Sequence, residues 1–298
     1  MESSLPQTFS SDCELSAVMI VYNGIRTVGR ALDSLSFCDE IVVLDDCSTD
    51  GTWEYLQTRK NLRLYQRRHT TMAGQREYVT SLARGRWILT IDSDEYVTSR
   101  LADTVRKAIC QSDAPDGFYL LWRNPYPPTL RGEVWGKHPR LMRAGRARWV
   151  QSDHLHSPLD FAGIRMGFLT DGHVDHEPLP NLAAVLRKYI NKSAIMATQE
   201  RARGVRASGA RLLLSTLGRF LKFYLIYGGW RYGASGLAMS CAATFEAFSK
   251  QAFLIEAPVA VPEELQDGGP GSFPSGVRFS APKEAPPVAA GPAKEREK

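Results

Sequence analysis

Two carboxylates separated by one residue, Asp92 and Asp94, lie in the stretch Asp92-Ser93-Asp94-Glu95. They follow the apolar run Trp87-Ile88-Leu89-Thr90-Ile91, which reads as a buried strand bounded by the turn Arg84-Gly85-Arg86. In an open α/β sheet such a strand delivers its last residues to the sheet edge where ligands bind. If extended geometry persists beyond the strand, side chains at i and i+2 point the same way, and Asp92 and Asp94 converge on one point. Converging carboxylates repel unless a cation lies between them, and their oxygens suit hard ions such as Mg²⁺ or Mn²⁺. An ion held by so few protein ligands keeps positions for phosphate oxygens. The plain alternative is a solvated acidic turn capping the next helix; the strand before it and the chain upstream weigh against that.

The elements that would position this pair are legible on either side. Leu15 to Tyr22 is an apolar, β-branched run that predicts a strand buried on both faces, and Asn23-Gly24 breaks it. Val28, Ala31, Leu32 and Leu35 recur at i, i+3, i+4 and i+7, one face of a helix. Glu40 to Leu44 predicts a second buried strand, so the unit is a parallel pair joined by a right-handed crossover. The polar stretch from Asp45 to Thr52 follows where a doubly wound sheet binds nucleotides, and its carboxylates can accept from a base imide or from ribose hydroxyls. Asp50 or Ser48 can equally cap the helix carrying Trp53 and Leu56, and both roles are compatible. No glycine-rich phosphate loop follows either strand, which disfavours dinucleotide and P-loop chemistry.

Leu62 to Tyr65 predicts a third strand, and a helix after Gly74 places Gln75 and Arg76 on its first turn, where an arginine and free amides meet phosphate. An ordinary surface arginine fits the same position. Leu101, Val105, Ala108 and Ile109 mark a helix after the acidic pair. From Asp116 the pattern changes: Gly117–Trp122 and Pro139–Met142 predict strands separated by an irregular stretch, among aromatics (Trp122, Tyr126, Trp135, Trp149) that can stack on sugars or fill a core. Asp153, His154 and His156, then His173, Asp175 and His176, form two clusters able to supply a general base or a late metal ligand. Asn181 to Arg203 predicts a helix with Leu182, Val185, Leu186, Tyr189 and Ile190 inward. Arg211 to Phe253 is strongly apolar with interspersed bases, suited to helices packed on the core or lying in a membrane interface.

Composition bounds the rest. The 298 residues, 43% hydrophobic and 23% charged, suffice for one large α/β domain with an appendage or for two small domains. The net charge of +5 is modest and the bases match no nucleic-acid motif, so nucleic-acid binding is not expected. The bases crowd between Arg123 and Arg148, where Glu133 is the one acid, a segment suited to an anionic acceptor or to a solvated basic face. Five scattered cysteines imply neither a disulfide framework nor a zinc site and fit a reducing cytosol. Without a signal-peptide pattern or a long uncharged apolar run, a soluble or peripheral protein is expected.

Three segments together carry a family resemblance: Val18 to Asn23, Glu40 to Thr52, and Asp92 to Glu95. The chain resembles the inverting glycosyltransferases of family 2, with the GT-A fold, and within them the subgroup that includes lipopolysaccharide inner-core β-glucosyltransferases. Asp39 to Asp50 and Asp92 to Thr98 match that subgroup's signatures; Gln75-Arg76, His176, Arg187-Lys188 and Asn191 also match. The resemblance implies that Tyr22, Asp45 and Asp46 contact the nucleotide base and ribose. It implies that Asp92 and Asp94 approach the ribose-diphosphate and a divalent cation, Asp94 as the firmer ligand, and that His176 closes over the diphosphate. A carboxylate base on the acceptor side is also implied; His156 is followed by Ser157 where relatives carry His-Glu, which leaves Asp153 for that role.

The expected organisation is a disordered 1–13, a nucleotide-sugar-binding half over 14–115, an acceptor side over 116–180, a helical region over 181–256 and a disordered tail over 257–298. The expected activity is metal-dependent, inverting transfer of a hexose from a nucleotide-sugar, a UDP-sugar first, to a bacterial surface glycan such as lipopolysaccharide core or a lipid-linked precursor. The expected site is cytoplasmic, at or near the inner face of the membrane. A sugar-phosphate nucleotidyltransferase and a non-catalytic glycan- or membrane-binding scaffold are the competing readings. Val21 to Arg26 lacks the glycine-rich basic loop that the first requires, and retention of Asp92 and Asp94 argues against the second.

Overall fold

A computed structural model describes residues 14–68, 71–149 and 159–256. Four parallel strands form its first half: β1 (Leu15–Val21), β2 (Glu40–Asp45), β3 (Arg63–Gln66) and β4 (Trp87–Thr90). They stand in the order β3-β2-β1-β4, so the chain first winds one way from β1 and then returns to its other side. Alternation along β1 feeds two cores. Leu15, Ala17, Met19 and Val21 pack with α1 (Val28–Ser34), whereas Val18 packs on the opposite face with Val79 and Ala83, which α3 (Met72–Ser81) and its last turn supply. Between them, α2 (Thr52–Gln57) connects β2 to β3.

The sheet continues through β7 (Glu133–Arg143), β6 (Gly117–Pro125), β10 (Met166–His176) and β5 (Glu95–Val97), to give eight strands. Only Ile91 to Asp94 joins β4 to β5, although β5 is four places away in the sheet order. Four strand spacings amount to about 19 Å, and five residue steps reach at most about 17 Å. The sheet must therefore curl, and the acidic stretch bridges its concave side. Helix α4 (Ser99–Ile109) covers β10, its Leu101, Val105, Ala108 and Ile109 all buried as their spacing predicts. At the register shift in β10, Gly172 (φ +89°) sits where any Cβ would meet the Leu101 backbone.

Two expectations shift here. The β6–β7 hairpin is longer than predicted, because Asn124 and Pro125 pair with Val134 and Glu133; proline is tolerated at a strand end, where its missing N–H breaks little of the ladder. The segment from Arg123 to Arg148 is not a continuous basic face. Arg123 pairs with Asp175 at 2.6 Å, Arg146 pairs with Asp116 at 3.4 Å, and Arg140 is 5% exposed in its side chain.

A short pair, β8 (Arg148–Trp149) with β9 (Leu159–Asp160), leads into the helical part: α5 (Leu182–Ala202), α6 (Gly209–Leu221), a π turn (Lys222–Ile226), a 3₁₀ turn (Gly229–Tyr232) and α7 (Gly233–Ile255). In α5 the buried stripe runs Val185, Tyr189, Ser193, Ala197, at i and i+4. Ile190, expected inward, lies about 100° around the helix from that stripe and is 36% exposed. Val185 and Tyr189 form a third core with Ala242 and Ala243 of α7, whereas α6 buries no residue.

Candidate active site

The carboxyl ends of β1, β2 and β4 meet at the point where the sheet order reverses, the usual ligand crevice of such sheets. Two loops line it. Asn23 and Gly24 follow β1, and their amides donate to Ser48 Oγ and Thr52 Oγ1, both at 2.9 Å. In return the Thr49 amide donates to Asn23 Oδ1 at 2.8 Å. A Cβ on Gly24 would lie 2.7 Å from Val21 and 3.3 Å from Ser93, so glycine lets the first loop touch the acidic stretch. Ser48 is thus a loop tie and not a helix cap; Asp50 accepts from the Thr52 amide, with Gly51 at the N-cap position of α2. Cys47 holds a left-handed backbone (φ +58°), which is strained for most side chains.

Asp45 is fully buried at the end of β2. Its Oδ2 accepts from the Ser48 amide at 3.0 Å and from Gln66 Nε2 at 2.9 Å, while its Oδ1 is buried without a protein partner. Asp46 is held by its backbone amide to the Val21 carbonyl at 2.8 Å, beside Tyr22. The three residues expected at a base and ribose are therefore adjacent.

Asp92 and Asp94 meet differently from the expectation. The chain leaves the extended state after Ile91 and turns: the Glu95 amide donates to the Asp92 carbonyl at 3.0 Å, and Glu95 Oε2 accepts from the Asp92 amide at 3.0 Å. The turn, and not strand pleating, juxtaposes the carboxylates, and each acquires its own cation. Arg140 of β7 donates to Asp92 Oδ2 at 2.9 Å and to Glu95 Oε1 at 2.5 Å; Trp122 Nε1 donates to the same Glu95 oxygen at 3.1 Å. Arg76 approaches Asp92 Oδ1 at 3.5 Å. Asp94 Oδ2 lies 3.3 Å from His176 Nε2, and Asp94 Oδ1 is buried without a protein partner.

Arg76 reaches the site by side-chain length, not from the helix terminus. Thr71 caps α3 and the Gln75 amide already bonds the Thr71 carbonyl at 2.9 Å, so Gln75 and Arg76 lie past the first turn that sequence spacing predicts.

The electrostatics follow from burial opposed by pairing. Burial disfavours the Asp92 anion, but the charges of Arg140 and Arg76 outweigh it and hold the carboxyl well below its usual range. Burial likewise opposes the Asp94 anion, and the charge and hydrogen bond of His176 overcome it; the same pair raises the His176 pKa against burial. Burial, with the charge of Lys192, holds the Lys188 pKa below its usual value against the opposing pull of Asp94 and Asp92, whose field its amine therefore lies in. His138, packed edge-on against Trp122, is pushed by burial and by Arg140 down to about 3 and stays neutral. Four basic side chains, Arg76, Arg140, His176 and Lys188, thus lie among Asp92, Asp94 and Glu95.

Strand pleating splits the second His/Asp cluster. His176 and Val174 are buried toward the core side, whereas His173 and Asp175 face the other way, 3.2 Å apart, with Arg123 on Asp175 and Trp135 edge-on to His173. Asp153, His154 and His156 lie outside the described residues. The described neighbour Trp149 lies under the Arg76 guanidinium at 4.8 Å, so the chain enters that segment beside Arg76.

Among the described residues no three His, Cys, Asp or Glu side chains converge as a ready-made metal cage. The orphan Asp94 Oδ1 fits a hard cation that takes one protein carboxylate and fills its shell with phosphate oxygens and water. Both Asp92 oxygens already face arginines, so Asp92 could join only by yielding the longer contact, that to Arg76.

Sequence reasoning missed Arg140, Glu95, Trp122 and Lys188 as parts of this site. Arg140 and Trp122 carry no local signal; the β6–β7 hairpin alone brings them to the acidic turn.

Sheet order, crevice and acidic turn define an α/β transferase of the GT-A class. The chain belongs to glycosyl transferase family 2, whose model matches residues 16–170, and it is a glycosyltransferase. It is similar to the lipopolysaccharide core biosynthesis glycosyltransferase LpsC of Rhizobium meliloti, with 28% identity over 246 residues that cover 78% of this chain and 89% of the relative. It is also similar to the UDP-Glc:alpha-D-GlcNAc-diphosphoundecaprenol beta-1,3-glucosyltransferase WfaP of Escherichia coli, with 34% identity over 99 residues, 30% of this chain and 39% of that protein. Among solved structures, a mannosyltransferase from Pyrobaculum calidifontis in complex with GDP-Man and Mn²⁺ superposes with a TM-score of 0.44 at 16% identity, over 83% of this chain and 90% of that one.

Proposed function

We propose that the chain catalyses inverting, metal-dependent transfer of a hexose from a nucleotide-sugar, a UDP-sugar first, to a bacterial surface glycan such as lipopolysaccharide core or its lipid-linked precursor. The observation that carries this is the orphan Asp94 oxygen at the switch point of the sheet, with His176 and Lys188 beside Asp94 and Arg76 on the neighbouring Asp92. The resemblance to LpsC along most of both chains supports the lipopolysaccharide assignment. The likeness to WfaP supports a UDP-linked donor and a lipid diphosphate acceptor.

In this reading Asp45 Oδ1 accepts from the base imide, and Tyr22 and Asp46 meet the base and ribose. Arg76, Lys188 and His176 hold the diphosphate. Asp153 takes the proton from an acceptor hydroxyl, whose oxygen attacks the anomeric carbon as the bond to the diphosphate breaks on the opposite face. Charge collects on the leaving diphosphate, and the cationic side chains stabilise it there. Asp94 would hold a Mg²⁺ or Mn²⁺ ion, which when bound supplies further neutralisation of that charge. Residues 14–115 serve the donor and 116–180 the acceptor, with His176 and Lys188 reaching back to the diphosphate. The reaction then takes place in the cytoplasm, at the membrane face that presents the acceptor.

Calorimetric titration with UDP tests this directly. Binding in Mn²⁺ should fall at least tenfold in EDTA and in Asp94→Ala; equal binding in all three would refute the metal role, and no binding at all would refute the uridine donor.

A further inference from the structure

We propose that the outer face of α6 and of the π turn after it is a docking surface for an anionic bilayer, on which the protein lies without crossing. This rests on the glycolipid acceptor proposed above for its purpose, but not for its evidence. Leu213, Leu214, Leu217, Leu221, Leu225 and Ile226 are 68, 72, 57, 42, 55 and 69% exposed. Leu214, Leu217, Leu221 and Leu225 recur at i, i+3, i+7 and i+11, a single stripe along the helix. Soluble domains rarely leave so long an apolar stripe in water.

Charge selects the occupant. Between Glu200 and Glu246 the chain carries Arg201, Arg203, Arg206, Arg211, Arg219, Lys222 and Arg231 but neither Asp nor Glu. At 100° per residue Arg211 and Lys222 border one side of the stripe, and the stacked rings of Phe220 and Tyr224, 5.4 Å apart, border the other. An apolar stripe edged by bases and aromatics is the composition of an interfacial helix on anionic lipid. Trp230, 54% exposed in the 3₁₀ turn, extends it with a residue that favours the headgroup level. A second copy of the chain would set these bases against one another, so self-association is the poorer match. Among the described residues no helix is long and apolar enough to cross a membrane.

The surface also adjoins the acceptor side. Tyr232, at the end of the 3₁₀ turn, packs edge-on against Tyr126 at 5.7 Å, in the loop that closes the β6–β7 hairpin. Docking α6 would bring that loop near the bilayer, where a membrane-held acceptor presents its sugar.

The test is co-sedimentation of the full chain with vesicles of phosphatidylglycerol and phosphatidylethanolamine, and with vesicles of phosphatidylcholine alone, without donor or acceptor. Partitioning should favour the anionic vesicles by about tenfold or more. The triple variant Leu214→Ser, Leu217→Ser, Leu221→Ser should lose binding to them at least tenfold. Arg211→Ala with Lys222→Ala should lose about tenfold on anionic vesicles only. Both variants should keep wild-type UDP affinity, which shows that they fold. Equal, weak partitioning of the wild type on both lipids would overturn the proposal. So would sedimentation equilibrium showing a wild-type dimer that the serine variant dissociates, with no vesicle binding. UDP binding without vesicle binding removes this surface alone, and vesicle binding without UDP binding removes the donor reading alone.

Discussion

His176 Nε2 lies 3.3 Å from Asp94 Oδ2, and the two residues come from strands β10 and the turn before β5, eighty-odd positions apart in the chain. The antiparallel pairing of His176 with Glu95 sets this contact, and the Glu177 amide reinforces it by donating to the Asp94 carbonyl at 2.8 Å. His176 thereby orients the carboxylate while leaving its other oxygen open. His176→Ala should lower kcat about tenfold to a hundredfold, with a smaller change in donor KM. Steady-state kinetics with a UDP-sugar would show this, and unchanged kcat would remove His176 from the reaction.

Arg76 and Arg140 both touch Asp92 but should fail differently. Arg140 is buried between Asp92 and Glu95, so Arg140→Ala leaves two carboxylates without their shared cation, and a broken buried pair costs about 3–5 kcal/mol. Urea unfolding should show that loss. Arg76 makes only the longer contact to Asp92 and stacks over Trp149, so Arg76→Ala should cost less stability than Arg140→Ala and instead weaken UDP binding about tenfold.

Asp153→Asn should bind UDP as the wild type does and lose transfer by at least about a hundredfold. Full activity in that variant would send the search for the base to Asp175, which already pairs with His173 and Arg123.

Asp39 opens the signature around Asp45 yet serves the fold. Its carboxylate accepts from the Leu15 amide at 2.9 Å and from Arg106 at 2.6 Å, tying the start of β1 to α4. The hydrogen bond from Arg106, against a smaller opposing effect of burial, holds its pKa below the usual carboxylate value. A depressed folded-state pKa means that this stabilisation is complete above the unfolded value and fades as pH falls through the folded one. Asp39→Asn should lower Tm by about 2–4 °C at pH 7, and the gap to wild type should close below about pH 4 in a thermal-melt series.

The legible parts were those whose cause is local. Strands β1, β2 and β4 are buried on both faces and read as unbroken apolar runs, and α4 shows its buried stripe in its spacing. Expectations failed where geometry depends on distant partners. The acidic pair turns instead of extending because the curled sheet brings β5 close enough for Asp92 and Glu95 to close a hydrogen-bonded turn, and Ile190 faces out because α7 packs on the neighbouring stripe of α5.

By itself the sequence determined the parallel half-sheet, the carboxylates at its edge and the family, because burial periodicity and motif spacing act over a few residues. Tertiary structure alone decided which cation each carboxylate meets. Arg140 entered as one base in a basic segment, and Lys188 as part of the Arg187-Lys188 family match with no role at the site. Only hairpin register and helix packing bring them to Asp92 and Asp94, and charge acts through distance in space, which spacing along the chain does not encode.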